Sequence, residues 1–92
     1  MEQKAAETVA LKALGWLAES DELLPVFLGS TGLSIDALRS GADNPDLMGA
    51  VLRFLTMEDA WVIAFCDANG LEYSVPLAAI HALPGGEAVH WT

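Results

Sequence analysis

Displaced by 38 positions, the sequence falls on itself. Leu14 lands on Leu52, Leu17 on Leu55, Asp21 on Asp59, Phe27 on Phe65, Gly32 on Gly70 and Leu33 on Leu71. These are six identities over the twenty ungapped pairs from 14/52 to 33/71, where composition alone gives about one or two. Trp16 on Phe54, Leu23 on Trp61 and Leu24 on Val62 add apolar matches. The matched positions are those that make helices: an acid at a helix start, apolar residues between, and a Gly-Leu pair at a helix end. Two readings fit. In one, the chain is a pseudo-twofold duplication of a three-helix unit: long helix, capped helix, Gly-Leu turn, short helix. In the other, two helical hairpins merely share one grammar of starts and stops. Both give an all-α fold class, a single compact bundle of five to six short helices, because neither half can bury its apolar face alone.

Punctuation along the chain sets the boundaries. Ala6, Val9, Ala10, Ala13, Leu14 and Leu17 recur at three- and four-residue spacing within residues 3–19, an amphipathic helix. Ser20-Asp21-Glu22 supplies capping oxygens for a second helix to about Ser30, with Pro25 in or just past its first turn. Thr31-Gly32-Leu33 reads as its end, Gly32 left-handed and Leu33 folding back as the apolar contact. Ser34 caps a third helix, Ile35 to Ser40, which Gly41 ends. Asn44-Pro45-Asp46 is the clearest start signal, and Leu47, Met48, Val51, Leu52, Phe54 and Leu55 follow it.

Thr56-Met57-Glu58-Asp59 has the form of a capping box and opens a fifth helix. That helix carries seven consecutive apolar residues, Ala60 to Cys66. Such a run could be a buried strand, but the capping box before it and Asn69-Gly70 after it favour helix. A helix apolar on every side is expected at the centre of the bundle, with Trp61 in the core. Ser74-Val75-Pro76 begins a last helix ending near Leu83, stopped by Pro84-Gly85-Gly86. Residues 1–86 are read as one helical domain and 87–92 as a C-terminal tail.

Composition removes several function classes. Four basic and 13 acidic residues give 4 − 13 = −9, which argues against nucleic acid, whose phosphates need lysine and arginine. One cysteine among 92 residues makes neither an intramolecular disulfide nor a cysteine-based zinc site. The uncharged runs Leu23 to Ile35 and Tyr73 to Gly86 fall short of the ~18 apolar residues of a membrane span and contain proline and glycine. Lys4, Lys12, Arg39 and Arg53 are scattered, so no membrane surface is expected as a partner. No secretory signal fits the N-terminus, and the expected compartment is the cytoplasm. A mean hydropathy of +0.39 implies a generous core or apolar surface left for a partner.

No chemical constellation emerges. Cys66 stands between Phe65 and Asp67, apolar and acidic company that disfavours a thiolate, and reads as core filler. His81 lacks a nucleophile to serve and reads as a histidine near a helix C-terminus, while His90 falls in the tail. Their nine-residue separation lacks zinc-ligand spacing. Asp21, Glu22, Glu58 and Asp59 occupy equivalent places in the two halves, and helix starts account for them. No EF-hand loop, phosphate-binding glycine motif or serine elbow is present, and no catalytic residue, metal or cofactor is expected. Trp91 and Val89 are the candidate partner-binding residues. A tryptophan there gains nothing unless it folds back over the bundle or meets a partner, and the alternative is a frayed terminus.

The string Phe27-Leu28-Gly29-Ser30-Thr31-Gly32-Leu33, followed by Leu38-Arg39, resembles the signature of a small bacterial family, the domain-of-unknown-function family numbered 3572. Leu52-Arg53-Phe54-Leu55, Glu58-Asp59, Phe65 and Asn69-Gly70-Leu71 complete the likeness, which runs from about Ala6 to Leu83. Members are short proteins, mostly of alphaproteobacteria, that usually carry a small residue in place of Pro25. The resemblance implies a small all-helical cytoplasmic protein and brings no activity or ligand-binding residue. High apolar content, strong acidity and the absence of a chemical constellation together point to a non-enzymatic protein-interaction module. Its apolar patch, rimmed by carboxylates, would steer it to a basic partner. A structural homo-oligomer, with the chain as its own partner, and a binder of a small apolar ligand between the two halves are the alternatives.

Overall fold

In the computed structural model, which describes residues 1–83, the chain forms α1 (Gln3–Ala18), α2 (Leu23–Thr31), α3 (Ile35–Ser40), α4 (Pro45–Leu55), α5 (Asp59–Asn69) and α6 (Val75–Ala82). Side chains close two of the starts as expected. Ser34 Oγ accepts from the Ala37 N–H at 3.1 Å, and Asn44 Oδ1 accepts from the Asp46 N–H at 2.8 Å. At α2 the capping oxygen is Ser20 Oγ, which accepts from the Leu23 N–H at 3.1 Å, while Glu22 makes no side-chain cap bond. Gly32 and Gly70 end α2 and α5 in the left-handed region, at φ 75° and 67°. The Gly32 N–H returns to the Leu28 carbonyl and the Leu71 N–H to that of Cys66, closing both helix ends. The capping box at Thr56 does not form. Thr56 is the C-cap of α4 instead, its hydroxyl donating to the Arg53 carbonyl at 3.1 Å, and Glu58 starts α5 without a side-chain bond.

The core is a trio of helices, α1, α4 and α6, each packed on the other two. α4 is its centre, with Leu47, Met48, Val51, Leu52, Phe54 and Leu55 all buried. α1 contributes Ala6, Val9, Ala10, Ala13 and Leu17, and α6 contributes Pro76, Ala79 and Ile80. Alanines at this seam let the helix axes approach towards the ~8 Å end of the usual range. The expectation of a central α5 is therefore corrected. α5 buries Phe65 and Cys66, half-buries Trp61 and Val62, and exposes Ala60, Ile63 and Ala64. Between Asp59 and Asp67 its outward face is made of alanine and isoleucine, so the run from Ala60 to Cys66 shows no polar side. α1 and α6 already flank α4, which leaves α5 an outer layer. Trp61 sits at the edge of the core, stacked on Phe54 at 4.8 Å between ring centroids.

The 38-residue displacement has a geometric counterpart. It carries α2 onto residues 61–69 and α3 onto 73–78, where α5 and α6 lie, and it carries most of α1 onto α4. α2 turns Phe27 inward and Pro25, Val26, Gly29 and Ser30 outward, and α5 turns Phe65 inward and Ile63, Ala64, Asp67 and Ala68 outward. Aromatic contacts cross between the halves. Trp16 meets Phe65 edge-on at 5.9 Å, and their displaced counterparts Phe54 and Phe27 meet edge-on at 5.2 Å. Phe27 and Phe65 are fully buried, and such a ring contributes about 1.5–3 kcal/mol relative to exposure.

Candidate functional site

Of the thirteen uncharged residues from Leu23 to Ile35, only Phe27 is buried. Val26 is 50 % and Ile35 46 % exposed, and Leu23, Leu24, Leu28 and Leu33 are half-buried. This apolar surface runs into a groove of about 520 Å³ between α1, α2 and α3. Leu11, Leu14, Gly15 and Ala18 of α1 form one wall, Leu24 of α2 another, and Ile35, Leu38 and Arg39 of α3 the third. The volume lies within the ~300–1,000 Å³ of ligand-sized sites. Helical spacing explains the α1 wall: Leu11, Gly15 and Ala18 are four and three residues apart, hence on one face, and all three are exposed.

Gly15 keeps the groove open. A glycine inside a helix costs about 0.5–1 kcal/mol relative to alanine. Beyond its own helix backbone and chain neighbours, no atom of the described residues lies within 4 Å of where a Gly15 Cβ would stand, so their packing does not need that space. The second half differs at the same register. Displacement by 38 places Arg53 at Gly15 and Gly49 at Leu11, and the Arg53 guanidinium lies back over Gly49, 3.0 Å from an added Cβ. Leu14 is half-buried and its counterpart Leu52 is fully buried. The halves thus share helices and aromatic pairs and part company at the groove.

The charges around the groove are mostly negative. Glu19, Asp36 and Asp43 are exposed, and each follows a lining residue in the chain: Ala18, Ile35 and Ala42. Two cations stand among them: Lys12, exposed and following the lining Leu11, and Arg39, an exposed guanidinium among the lining side chains. Such a groove can bury apolar side chains of an incoming group and hold a carboxylate at Arg39.

The other chemically capable residues lie elsewhere. Cys66 is fully buried and its Sγ donates to the Glu72 carbonyl at 3.4 Å. Burial pushes its pKa up, and the Asp67 carboxylate adds to the shift, so the thiol form is held at neutral pH. Tyr73 donates its hydroxyl to Asp67 Oδ1 at 2.8 Å, and that bond together with the carboxylate charge raises the phenol pKa. His81 is exposed in the last turn of α6. Among the described residues no three His, Cys, Asp or Glu side chains gather as a metal site, and no helix is long and apolar enough to cross a membrane. Asp21, Glu22, Glu58 and Asp59 sit at the starts of α2 and α5, all exposed.

Val89 and Trp91, the partner-binding candidates, lie outside the described residues. The groove is a site that the sequence reading did not assemble. Its two signals were the uncharged run from Leu23 to Ile35 and a glycine inside a helix with no packing to require it. It also lies within the first three helices, and not between the two halves, where an apolar ligand is expected from the sequence. The family model described as protein of unknown function (DUF3572) matches residues 3–86 of the 92-residue chain, which belongs to that family. No curated protein and no solved structure matches it.

Proposed function

We propose, from membership of a family without an assigned activity, that this chain is a small acidic interaction module of the cytoplasm. It works by binding a basic protein and not by catalysis. The observation that supports the reading is the open α1–α2–α3 groove, with Leu11 48 % and Ile35 46 % exposed beside it and carboxylates following its lining residues. Carboxylates at the rim draw a basic partner and speed its encounter, and the apolar floor supplies affinity once water leaves. The same reading takes the chain as a duplicated three-helix unit, supported by the crossed aromatic pairs, with the groove as the place where the copies diverged.

Two measurements test it. Sedimentation velocity over a concentration series should show a monomer, whereas self-association through the groove would make the homo-oligomer the correct reading. Capture of proteins on the immobilised full chain is then compared with a Leu11→Glu/Ile35→Glu variant of matching circular dichroism. Basic partners retained by the wild type should be lost from the variant. Equal retention by both would refute the groove as the docking surface.

A further inference from the structure

Resting on that reading, the shape of the groove further specifies its occupant. Its walls are helices apart from Ala42 in the turn after α3, and no strand is present among the described residues, so an extended peptide finds no sheet edge to join. Apolar grooves between helices instead accept a ridge of side chains at three- and four-residue spacing, which is the face of another helix. Gly15 and Ala18 are the small, exposed residues of the α1 wall. They let an incoming backbone come nearer than the ~8–10 Å usual between helix axes. Glu19, Asp36 and Asp43, next in the chain to lining residues, outnumber Lys12 and Arg39 there, and with the net charge of −9 they favour a helix of positive charge, while Arg39 favours one negative charge within reach of α3.

We propose that the α1–α2–α3 groove receives an amphipathic α-helix of another protein, crossing α1 at Gly15. Basic residues flank its apolar ridge, and a single carboxylate meets Arg39.

The test is a nitrogen-15 amide titration of the full chain with synthetic peptides of about 18 residues, roughly 27 Å as a helix. The first carries leucines at helical spacing, flanking lysines and one central glutamate. The second has the same composition with the order shuffled, and the third has every lysine replaced by glutamate. The first should shift the amides of Leu11, Gly15, Leu24, Ile35 and Arg39, gain helicity on binding, and bind at least about tenfold more tightly than either control. Gly15→Arg, which installs the residue found at the displaced position, should weaken it about tenfold or more without lowering the melting temperature. Arg39→Gln should reduce the affinity for the first peptide and leave that of a variant without the glutamate unchanged. Equal binding of the shuffled peptide at the same amides would overturn the helical occupant while leaving the docking groove standing. Shifts at these amides with phosphatidylcholine vesicles and with no peptide would assign the groove to lipid and overturn the proposal. If no probe moves these amides, yet Leu11→Glu/Ile35→Glu still abolishes capture, the proposed occupant is wrong and the interaction module survives.

Discussion

Gly15→Ala and Gly32→Ala are the same chemical change with opposite expected signs. At both positions no other part of the described residues lies within 4 Å of the added methyl, so sterics do not separate them. Backbone conformation does. Gly15 lies inside α1 with an ordinary helical φ, where alanine is favoured by about 0.5–1 kcal/mol, part of it through reduced freedom of the unfolded chain. Gly32 sits at φ 75°, ψ 7°, where a Cβ costs roughly 1–2 kcal/mol. For a domain of this size 1 kcal/mol moves the melting temperature by about 4–8 °C. Gly15→Ala should therefore raise it by about 2–8 °C, and Gly32→Ala should lower it by roughly 4–16 °C. Thermal unfolding followed by far-ultraviolet circular dichroism reads both. A fall for Gly15→Ala would mean that the space above α1 is used by the fold, and the argument that the groove is open would fail with it. A rise for Gly32→Ala would refute the left-handed helix end.

Three further outcomes follow from packing and charge. Leu52→Ala, fully buried on the central helix, should cost about 2–5 kcal/mol, while Ile63→Ala, 42 % exposed on α5, should stay within about 0.5 kcal/mol. Denaturant titration of both decides whether α4 or α5 is the centre. The single tyrosine should titrate above the ordinary phenol range of about 10, and Asp67→Asn should bring it down, as read from tyrosinate absorbance; no downward movement would refute the Tyr73–Asp67 bond. Because the folded phenol holds its proton more tightly than the unfolded one, this stabilisation is complete below the unfolded pKa. It is lost as pH rises through the higher folded value. Cys66 should react with a thiol reagent only slowly in the native protein and faster as denaturant is added, and immediate native reaction would contradict its burial.

Helix boundaries were legible because they rest on local chemistry. Asn44-Pro45-Asp46 needs only its own side chain and backbone to start α4, and Gly32 and Gly70 need only their missing Cβ to end α2 and α5. Thr56 shows where local grammar became ambiguous. One hydroxyl could serve the N–H groups of a following helix or the carbonyls of a preceding one, and it serves α4. The order of layers was not legible. Ala60-Trp61-Val62-Ile63-Ala64 gives no polar face to read, while α4, interrupted by Gly49 and Arg53, is the more deeply buried helix. Which of two apolar helices is central depends on what flanks them, and that is a property of the tertiary arrangement.

The groove was hidden for a related reason. Leu14 and Leu52 are identical residues at matching positions of two similar halves, and sequence alone assigns them the same environment. Their difference arises at neighbouring positions. On α4 a large side chain at Arg53 folds back over a small Gly49; on α1 a large Leu11 precedes a bare Gly15. Side chains on a helix lean towards its N-terminus, so the first pattern covers its own helix and the second uncovers a turn. The decisive signal is therefore a pairwise one, the exchange of large and small residues four apart between two aligned helices. Restoring the α4 pattern on α1 with Leu11→Gly/Gly15→Arg should close the groove and weaken partner capture while leaving the α1–α4–α6 core intact. Undiminished capture by a variant whose helicity matches the wild type would show that the asymmetry has no part in binding.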